Sequence, residues 1–227
     1  MLNNIKKEIL SKSDSEKAKV YQRFFKTGIG EYGEGDVFVG LTVPKSREIA
    51  KKFFNLELKE VKELLNSKIH EERLIGLLIL VYNYPKNKKK IFDFYLENTN
   101  RINNWDLVDL TADKIVGNYL IDKDKKLLYK LAKSGNLWER RISIVSTFHF
   151  IKNNKFEDSL KLSEILLKDN HDLIHKAAGW MLREIGKRDQ EVLERFLLKH
   201  YTEMPRTMLR YAIERFDGDK RRFYLRK

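Results

Sequence analysis

The scarcity of helix-breaking residues constrains the fold of this chain more than any other feature of its sequence. Only three of its 227 residues are proline, Pro44, Pro85 and Pro205, and each lies where a helix could begin. Proline is tolerated there because the N–H that it lacks would have no intrahelical partner. Glycine is also scarce, and five of the eleven glycines fall between positions 28 and 40. The sequence therefore predicts helix almost throughout.

The spacing of apolar residues agrees with this prediction. Outside the glycine-rich stretch they recur at i, i+3, i+4 and i+7, and no segment alternates convincingly with period two. Two helix starts are indicated, because Ser13 with Glu16 fits a capping box and Asn103 with Asp106 fits a looser version. We predict an all-α fold. The predicted helical segments are 44–54, 57–66, 69–83, 88–97, 104–120, 122–133, 137–150, 156–168, 171–187, 189–200 and 206–216.

A weak internal repeat runs along the chain. The residues Arg73, Asp106, Arg141, Lys176 and Arg210 can be placed in one register, with separations of 33, 35, 35 and 34 residues. A near-constant period with little identity is typical of stacked helical pairs, because one pair cannot bury its apolar face alone. The period is close to that of TPR repeats, but the TPR signature residues are absent. We predict a single domain over residues 1–227, a curved HEAT-like solenoid (an α-α superhelix) with a concave binding face.

The charge balance points to an anionic partner. The chain carries 46 Lys and Arg against 33 Asp and Glu, a net charge of +13. Four residues of the repeat register, Arg73, Arg141, Lys176 and Arg210, are basic and are predicted to line one face, which suits a phosphate backbone. The last 22 residues add eight basic and three acidic side chains. The alternative for such clusters is a solvated surface that keeps the protein soluble.

Several classes of protein are excluded. Without cysteine there is no disulfide framework, thiolate zinc site or thiol nucleophile. The longest apolar run, Leu74 to Tyr82, is far shorter than the ~18 residues of a membrane span. The amino terminus is too charged for a secretory signal. We expect a soluble, cytoplasmic protein.

The glycine-rich stretch matches a nucleotide-binding pattern only formally. Gly28 to Gly33 reads GxGxxG, but that fingerprint requires a preceding strand, and the residues before it have helical spacing. Glu31, Glu34 and Asp36 would also repel phosphate. We interpret residues 28–36 as a flexible, acidic loop.

A metal site is not indicated either. His171 and His175 are four apart and could share a helix face, but the first histidine is followed by Asp172 rather than Glu. No third ligand is evident. We predict no metal and no other cofactor.

Each of the three tryptophans has a charged neighbour at helical spacing, and each lies in a different repeat. If the three share the concave face, they form a cleft of aromatic and charged side chains suited to nucleic acid. The alternatives are three ordinary half-buried tryptophans and a solvated acidic face on the segment that follows the first. The pairs are Trp105 with Asp109, Trp138 with Arg141, and Trp180 with Arg183.

The segments around these pairs resemble a known family. WDLVD at 105–109, NLWERR at 136–141 and AAGWMLREIGK at 177–187 are similar, in order and separation, to motifs of the AlkD-like DNA alkylation repair proteins. The similarity begins near VFVGLTVP at 37–44 and extends almost to the C-terminus. These proteins are DNA glycosylases built from HEAT-like repeats. The resemblance implies excision of N3- and N7-alkylated purines from duplex DNA held in a concave cleft, without a metal.

The resemblance also implies roles for individual residues. Asp109 matches the catalytic carboxylate, and Trp105 matches the aromatic residue beside the lesion. Arg141 matches the arginine that completes the site. Trp180 and Arg183 match cleft residues that hold the DNA backbone.

The chain departs from the family pattern at two places. Asn104 stands where well-known active members have a second tryptophan, and residues 28–36 look like an insertion. Three hypotheses stay open: a glycosylase for alkylated purines, a non-catalytic binder of damaged or branched DNA, and a protein-interaction module. For either of the first two we expect a monomer whose partner is double-stranded DNA, alkylated or distorted, and a nucleoid association if the source is prokaryotic.

Overall fold

The computed structural model describes residues 1–226, which form two compact units, one from Met1 to Thr111 and one that begins at Ala112. Lys227, the last residue of the basic C-terminal cluster, lies outside the described residues. The all-α prediction is confirmed, since residues 1–226 contain helices and no strand beyond one isolated bridge between Val37 and Ile69. The prediction of a single domain stays a prediction.

The first unit contains seven α-helices. They are α1 (Leu2–Ser11), α2 (Ser15–Phe24), α3 (Val43–Lys52), α4 (Leu58–Leu65), α5 (His70–Asn83), α6 (Lys88–Glu97) and α7 (Trp105–Asp109).

Helix α5 is the core of this unit. Every residue from His70 to Leu80 is buried, because α3 and α4 pack against it and its apolar run covers the whole circumference of the helix. Its first turn places four charged or titratable side chains in the interior, at positions 70–73. Such groups are buried only when they are paired, so this turn requires partners from elsewhere in the unit.

The segment between α2 and α3 is held against α2 at Gly40. This glycine has φ +81°, and a Cβ at this position would lie 2.0 Å from the Asp14 carbonyl oxygen. Only glycine fits both the left-handed backbone and the close approach. Asp14 also caps α2 by accepting a hydrogen bond from the Lys17 N–H at 3.0 Å, so the predicted cap at Ser13 is wrong by one residue.

The described part of the second unit, up to residue 226, contains nine α-helices after a π-helical turn at Asp113–Gly117. They are α8 (Asn118–Leu120), α9 (Lys126–Leu131), α10 (Leu137–Ser146), α11 (Phe148–Lys152), α12 (Glu157–Ile165), α13 (Asp172–Gly186), α14 (Gln190–His200), α15 (Arg206–Ala212) and α16 (Gly218–Leu225).

Helix α13 is the core of the second unit and packs against α10, α14 and α15. It approaches α15 closely at Gly179, where a Cβ would lie 2.5 Å from the Met208 carbonyl oxygen. The small residue thus sets the distance between the two helices.

Two predicted helices are interrupted. The segment 104–120 breaks after α7, where the Thr111 hydroxyl donates to the Leu107 carbonyl oxygen at 2.5 Å. The segment 137–150 divides between α10 and α11, where the hydroxyls of Ser146 and Thr147 donate to carbonyl oxygens of the preceding turn. Such bonds compete with the regular helical pattern and bend it. Apolar spacing alone does not detect them.

Candidate functional site

The WDLVD segment forms the short helix α7, and Asn104 fixes its start. The Asn104 side chain is fully buried; its Oδ1 accepts from the Trp105 N–H at 2.9 Å, and its Nδ2 donates to the Phe25 carbonyl oxygen at 3.3 Å. Asn104, rather than the predicted Asn103, is therefore the cap. Asn104, which replaces the second tryptophan of the family pattern, thus connects the start of α7 to the end of α2.

Trp105 is half-buried and held in place by two rings. The Phe25 ring is stacked on it, with centroids 5.1 Å apart and planes 12° apart. The Phe24 ring meets it edge-on at 5.9 Å. Aromatic pairs favour these two arrangements, so the indole has a defined orientation.

Asp109 ends α7 one turn after Trp105 and is partly exposed. Residues four apart lie on the same face of a helix, so the indole and the carboxylate are neighbours on one side of α7. The structure thus brings together the two site residues that the sequence predicts for this segment.

Behind α7 lies a buried cluster of charges that the sequence analysis missed. His70 stands between two carboxylates: its Nδ1 is 3.1 Å from Asp36 Oδ2, and its Nε2 is 2.8 Å from Asp106 Oδ2. Arg73 Nη2 reaches Asp36 at 2.7 Å, and Asn103 donates to the same carboxylate at 2.7 Å. Asp106 was expected to act only as a helix cap, but its main partner is His70.

Pairing controls the titration of this cluster. Burial opposes charge on His70, but the negative charge of Asp106 and the hydrogen bonds to Asp106 and Asp36 outweigh it and raise the pKa of His70 to about 9. Burial likewise raises the pKa of Asp36, but the hydrogen bond from His70 and the charge of Arg73 bring it below its usual value. At neutral pH the imidazole is therefore a cation that lies between the Asp36 and Asp106 side chains.

The acidic loop predicted at residues 28–36 is anchored at its end. Asp36 is buried in the cluster just described. Immediately after it, the Glu71 carboxylate accepts the backbone N–H groups of Val39, Gly40 and Leu41 at 2.9–3.1 Å. The charged residues at 70–73 could have indicated these buried contacts, because they directly precede an apolar run that has to be buried.

Two of the four members of the predicted basic stripe are buried. Arg73 is 4% exposed because it binds Asp36 and also donates to the Asn103 side chain and the Ser67 carbonyl oxygen. Arg141 is 5% exposed, and its Nη1 donates to the Leu173 carbonyl oxygen at 2.5 Å. Both guanidinium groups point into a protein interior.

The other two members of the stripe are more accessible. Lys176 is half-exposed and forms an ion pair with Asp172 at 2.7 Å on the same helix, and Arg210 is exposed on α15. The role of Arg141 as the arginine of the site stays a prediction, as do the DNA contacts of Lys176 and Arg210.

The two later tryptophans lie in the second unit and differ in exposure. Trp138 is buried, which is more enclosed than the half-buried tryptophan of the alternative interpretation. Trp180 is half-buried beside the Phe148 ring, with centroids 5.4 Å apart, and Lys152 Nζ lies 4.1 Å from the centroid of that same ring. Arg183 forms ion pairs with Glu214 and Glu184. Trp180, Phe148 and Lys152 thus form an aromatic and cationic cluster in this unit.

The two histidines of α13 have structural roles. His171 Nδ1 accepts the Leu173 N–H at 3.1 Å and caps the helix, and His175 Nε2 lies 2.6 Å from the Asp169 carbonyl oxygen. Within residues 1–226, no group of three or more His, Asp or Glu side chains could hold a metal ion. Nor is any helix in this range long and apolar enough to cross a membrane.

Comparison with known proteins gives one family and several similar structures. The family model described as "DNA alkylation repair enzyme" matches residues 5–216. A solved structure described as a predicted DNA alkylation repair enzyme from Enterococcus faecalis is 14% identical, with a TM-score of 0.71 over 91% of this chain and 98% of the other. No curated protein sequence matches the chain.

Two further structures come from Streptococcus mutans. AlkD2 is 17% identical, with a TM-score of 0.60 over 90% of this chain and 99% of the other. The protein smu.31, from strain UA159, is also 17% identical, with a TM-score of 0.59 over 89% and 98%. At such low identity these likenesses show the fold: the predicted helical-repeat architecture is shared with these solved structures.

Proposed function

Because this chain belongs to the DNA alkylation repair enzyme family, we propose that it is a DNA glycosylase that removes N3- and N7-alkylated purines from duplex DNA. The observation that carries the proposal is the pairing of Trp105 with Asp109 on one face of α7, with the indole oriented by two phenylalanine rings.

The chemistry suits these residue types. An N3- or N7-alkylated purine is cationic, so the electron pair of the breaking glycosidic bond neutralises it as it leaves, and little acid catalysis is needed. The sugar that remains is oxocarbenium-like, as in glycoside hydrolysis, and an oriented carboxylate stabilises it. We assign this role to Asp109. The same carboxylate can orient the water that adds to the anomeric carbon and accept its proton.

Trp105 is assigned to the lesion. Its ring can interact with a cationic base or with the sugar edge through cation–π attraction. Because Phe25 stacks on one side of the indole, the aromatic surface available to DNA is defined in advance.

Binding to the duplex is assigned to exposed cations. Candidates are Lys176, Arg210 and the basic C-terminal segment, of which residues 206–226 are described. Phosphate contacts position a protein without reading the sequence, so we expect salt-sensitive binding with little sequence preference. Trp180 and Arg183, the latter paired with Glu214, are assigned to contacts with the DNA backbone.

The decisive experiment is the release of free 7-methylguanine or 3-methyladenine from alkylated duplex DNA. Asp109→Asn keeps the shape and removes the charge, so excision should fall by on the order of 10²–10³ while affinity for undamaged duplex is kept. Asp93→Asn, an isosteric change at another partly exposed aspartate of the first unit, is the matched control. Equal excision by wild type and Asp109→Asn would remove the catalytic assignment.

A second candidate function is non-catalytic binding of damaged or branched DNA. Asn104 favours this function. It is buried and caps α7 at the position where the family pattern has a second tryptophan, so this segment carries one tryptophan rather than two. Salt-sensitive duplex binding without excision by the wild-type protein would select this function. Binding that ignores ionic strength would indicate a protein partner instead.

A further inference from the structure

A column of four stacked rings leads from the buried charge cluster to the candidate site. The His70 imidazole lies on the Phe38 ring, with centroids 4.3 Å apart and planes 21° apart. Phe38 is stacked on Phe25 at 4.8 Å, and Phe25 is stacked on Trp105 at 5.1 Å. Both faces of each phenylalanine ring are therefore covered within the column. We call these four residues, His70, Phe38, Phe25 and Trp105, the ring column.

The two ends of the ring column differ in their surroundings. His70 is 1% exposed, and its two ring nitrogens are bound by Asp36 at 3.1 Å and by Asp106 at 2.8 Å. Trp105 is half-buried, so part of its indole is open to a ligand. Rings in contact at these distances cannot shift independently, because protein interiors are close-packed. The position of the open indole thus depends on the anchored imidazole.

A second connection from His70 to the candidate site runs through α7. His70 binds Asp106, which follows Trp105 directly and lies three residues before Asp109. This helix has only five residues, so its own hydrogen bonds do little to stabilise it and contacts with other elements hold it in place. The bond to His70 is one of these contacts.

Packing alone does not fix the ring column. A cavity of about 330 Å³ opens beside α2 and α5, and His70, Phe25 and Phe38 line it. Tyr21 and Phe24 contribute two further rings to its lining. Side-chain atoms that face a cavity have no contacts on that side and lose the dispersion energy of those contacts. The anchored end of the column therefore matters more than it would in a fully packed core.

We propose that His70 is a positioning residue of the candidate site, which fixes the Trp105 indole through the ring column and fixes α7 through Asp106. The proposal rests on the proposed function for the reaction that this geometry serves. Because His70 is buried, it acts on that reaction only through these two connections.

The positive charge of His70 contributes to both connections. The charged groups around it come from the segment before α3, from α5 and from α7: they are Asp36, Arg73, Glu71 and Asp106. As a cation, His70 donates to both of its carboxylate partners and is attracted to the face of the Phe38 ring. Loss of the proton removes one donor and this attraction. Both connections should therefore weaken as the pH rises through the pKa of His70, which is about 9.

The first test follows the rings of His70 and Trp105 by carbon–proton NMR from pH 6 to about 10, on the wild-type protein without DNA. The Trp105 signals should shift with the same midpoint as those of His70. Trp138 and Trp180 belong to the second unit and are the internal controls, which should show no step at that midpoint. A histidine that only stabilised the fold would titrate without moving the Trp105 signals.

A pair of isosteric variants tests the same coupling. Asp106→Asn removes one anion beside His70, so the midpoints of His70 and Trp105 should both move to lower pH and should still agree. Asp93→Asn, at a partly exposed position, is the matched control and should leave both midpoints in place. A Trp105 midpoint that stays in place while that of His70 moves would contradict the coupling.

The second test measures the reaction itself. His70→Gln keeps a polar side chain but removes the ring and the charge. Single-turnover release of 3-methyladenine from alkylated duplex DNA, corrected for the folded fraction, should fall about 10- to 100-fold, the scale of a small misplacement of reacting groups. Affinity for undamaged duplex should be kept. The ratio of wild-type to variant rates cancels any titration of the substrate, and it should decrease between pH 8 and about 10 as wild-type His70 loses its proton.

Two results would overturn the proposal: Trp105 signals that stay constant while His70 titrates, or a ratio of excision rates that does not change with pH. Absence of excision by the wild-type protein would instead remove the proposed function. The NMR titration would still decide, without any reaction, whether His70 fixes Trp105.

Discussion

Raising the pH should destabilise this protein through one histidine. His70 is 1% exposed, and both of its ring nitrogens face carboxylates, Asp36 at 3.1 Å and Asp106 at 2.8 Å. The imidazolium form can donate to both, whereas the neutral form can donate to only one. Deprotonation therefore leaves two buried carboxyl side chains with only one donor from this ring.

The size of the effect follows from the pKa of His70, which is about 9 in the folded chain against 6.5 for the free group. A folded pKa above the unfolded value means that the folded state holds the proton more tightly. The contribution is fully present below pH 6.5, where it is worth about 3 kcal/mol. About 2 kcal/mol of it remains at pH 7.5, and most is lost by pH 9.

The assay is urea unfolding at a series of pH values from 6 to about 10, with His70→Gln as the comparison. Between about pH 7 and 9 the unfolding free energy of wild type should fall more steeply than that of the variant, by up to about 1.4 kcal/mol per pH unit. Titration of the His70 ring by NMR provides a measurement that does not depend on the variant folding. A midpoint at or below 6.5, or parallel slopes for the two proteins, would refute the reasoning.

Three further predictions concern the backbone, the buried charges and the surface. Gly40→Ala should lower the free energy of unfolding in urea by several kcal/mol, because a Cβ would lie 2.0 Å from the Asp14 carbonyl oxygen. Gly30 has a similar φ of +76°, but an added Cβ there would have no heavy atom within 4 Å. Gly30→Ala should therefore lower the free energy of unfolding by only about 1–2 kcal/mol. Arg73→Ala should lower the unfolding free energy by about 3–5 kcal/mol, because it leaves Asp36 without its guanidinium partner; a loss below about 1 kcal/mol would contradict the pairing. Arg210→Ala should leave stability nearly unchanged and reduce the log–log salt slope of duplex binding by about one, and an unaltered slope would exclude Arg210 from the phosphate contacts.

Local pattern was sufficient for much of the fold. Apolar spacing predicted α3, α4, α5, α6 and α13 to within a few residues, because a long amphipathic or fully apolar helix leaves a strong periodic signal. The short helix α7 was placed correctly at its start, but its end was not. Hydroxyl groups that bond back to the helix carbonyls ended or bent several segments, and such residues leave the periodicity of apolar side chains unchanged.

Part of the candidate site could be predicted because it also depends on spacing along a helix. Trp105 and Asp109 share a helix face, and this follows from their spacing alone. The repeat register also placed Arg73 and Arg141 in equivalent positions. It could not show that both are buried, because burial depends on which residues another segment brings within reach.

The sequence by itself determined an all-α chain, a helix that carries an indole and a carboxylate on one face, and a large positive charge. These properties depend on composition and on neighbours within a turn or two. Only the tertiary structure decided that Asp36, His70 and Asp106 form one buried cluster and that three phenylalanines and a tyrosine from two segments enclose a cavity. The contacts of the charge cluster join residues more than 30 positions apart, and the rings of the cavity come from segments more than ten positions apart. Whether such a charge is solvated or buried depends on the partner that folding places against it, and no local pattern specifies that partner.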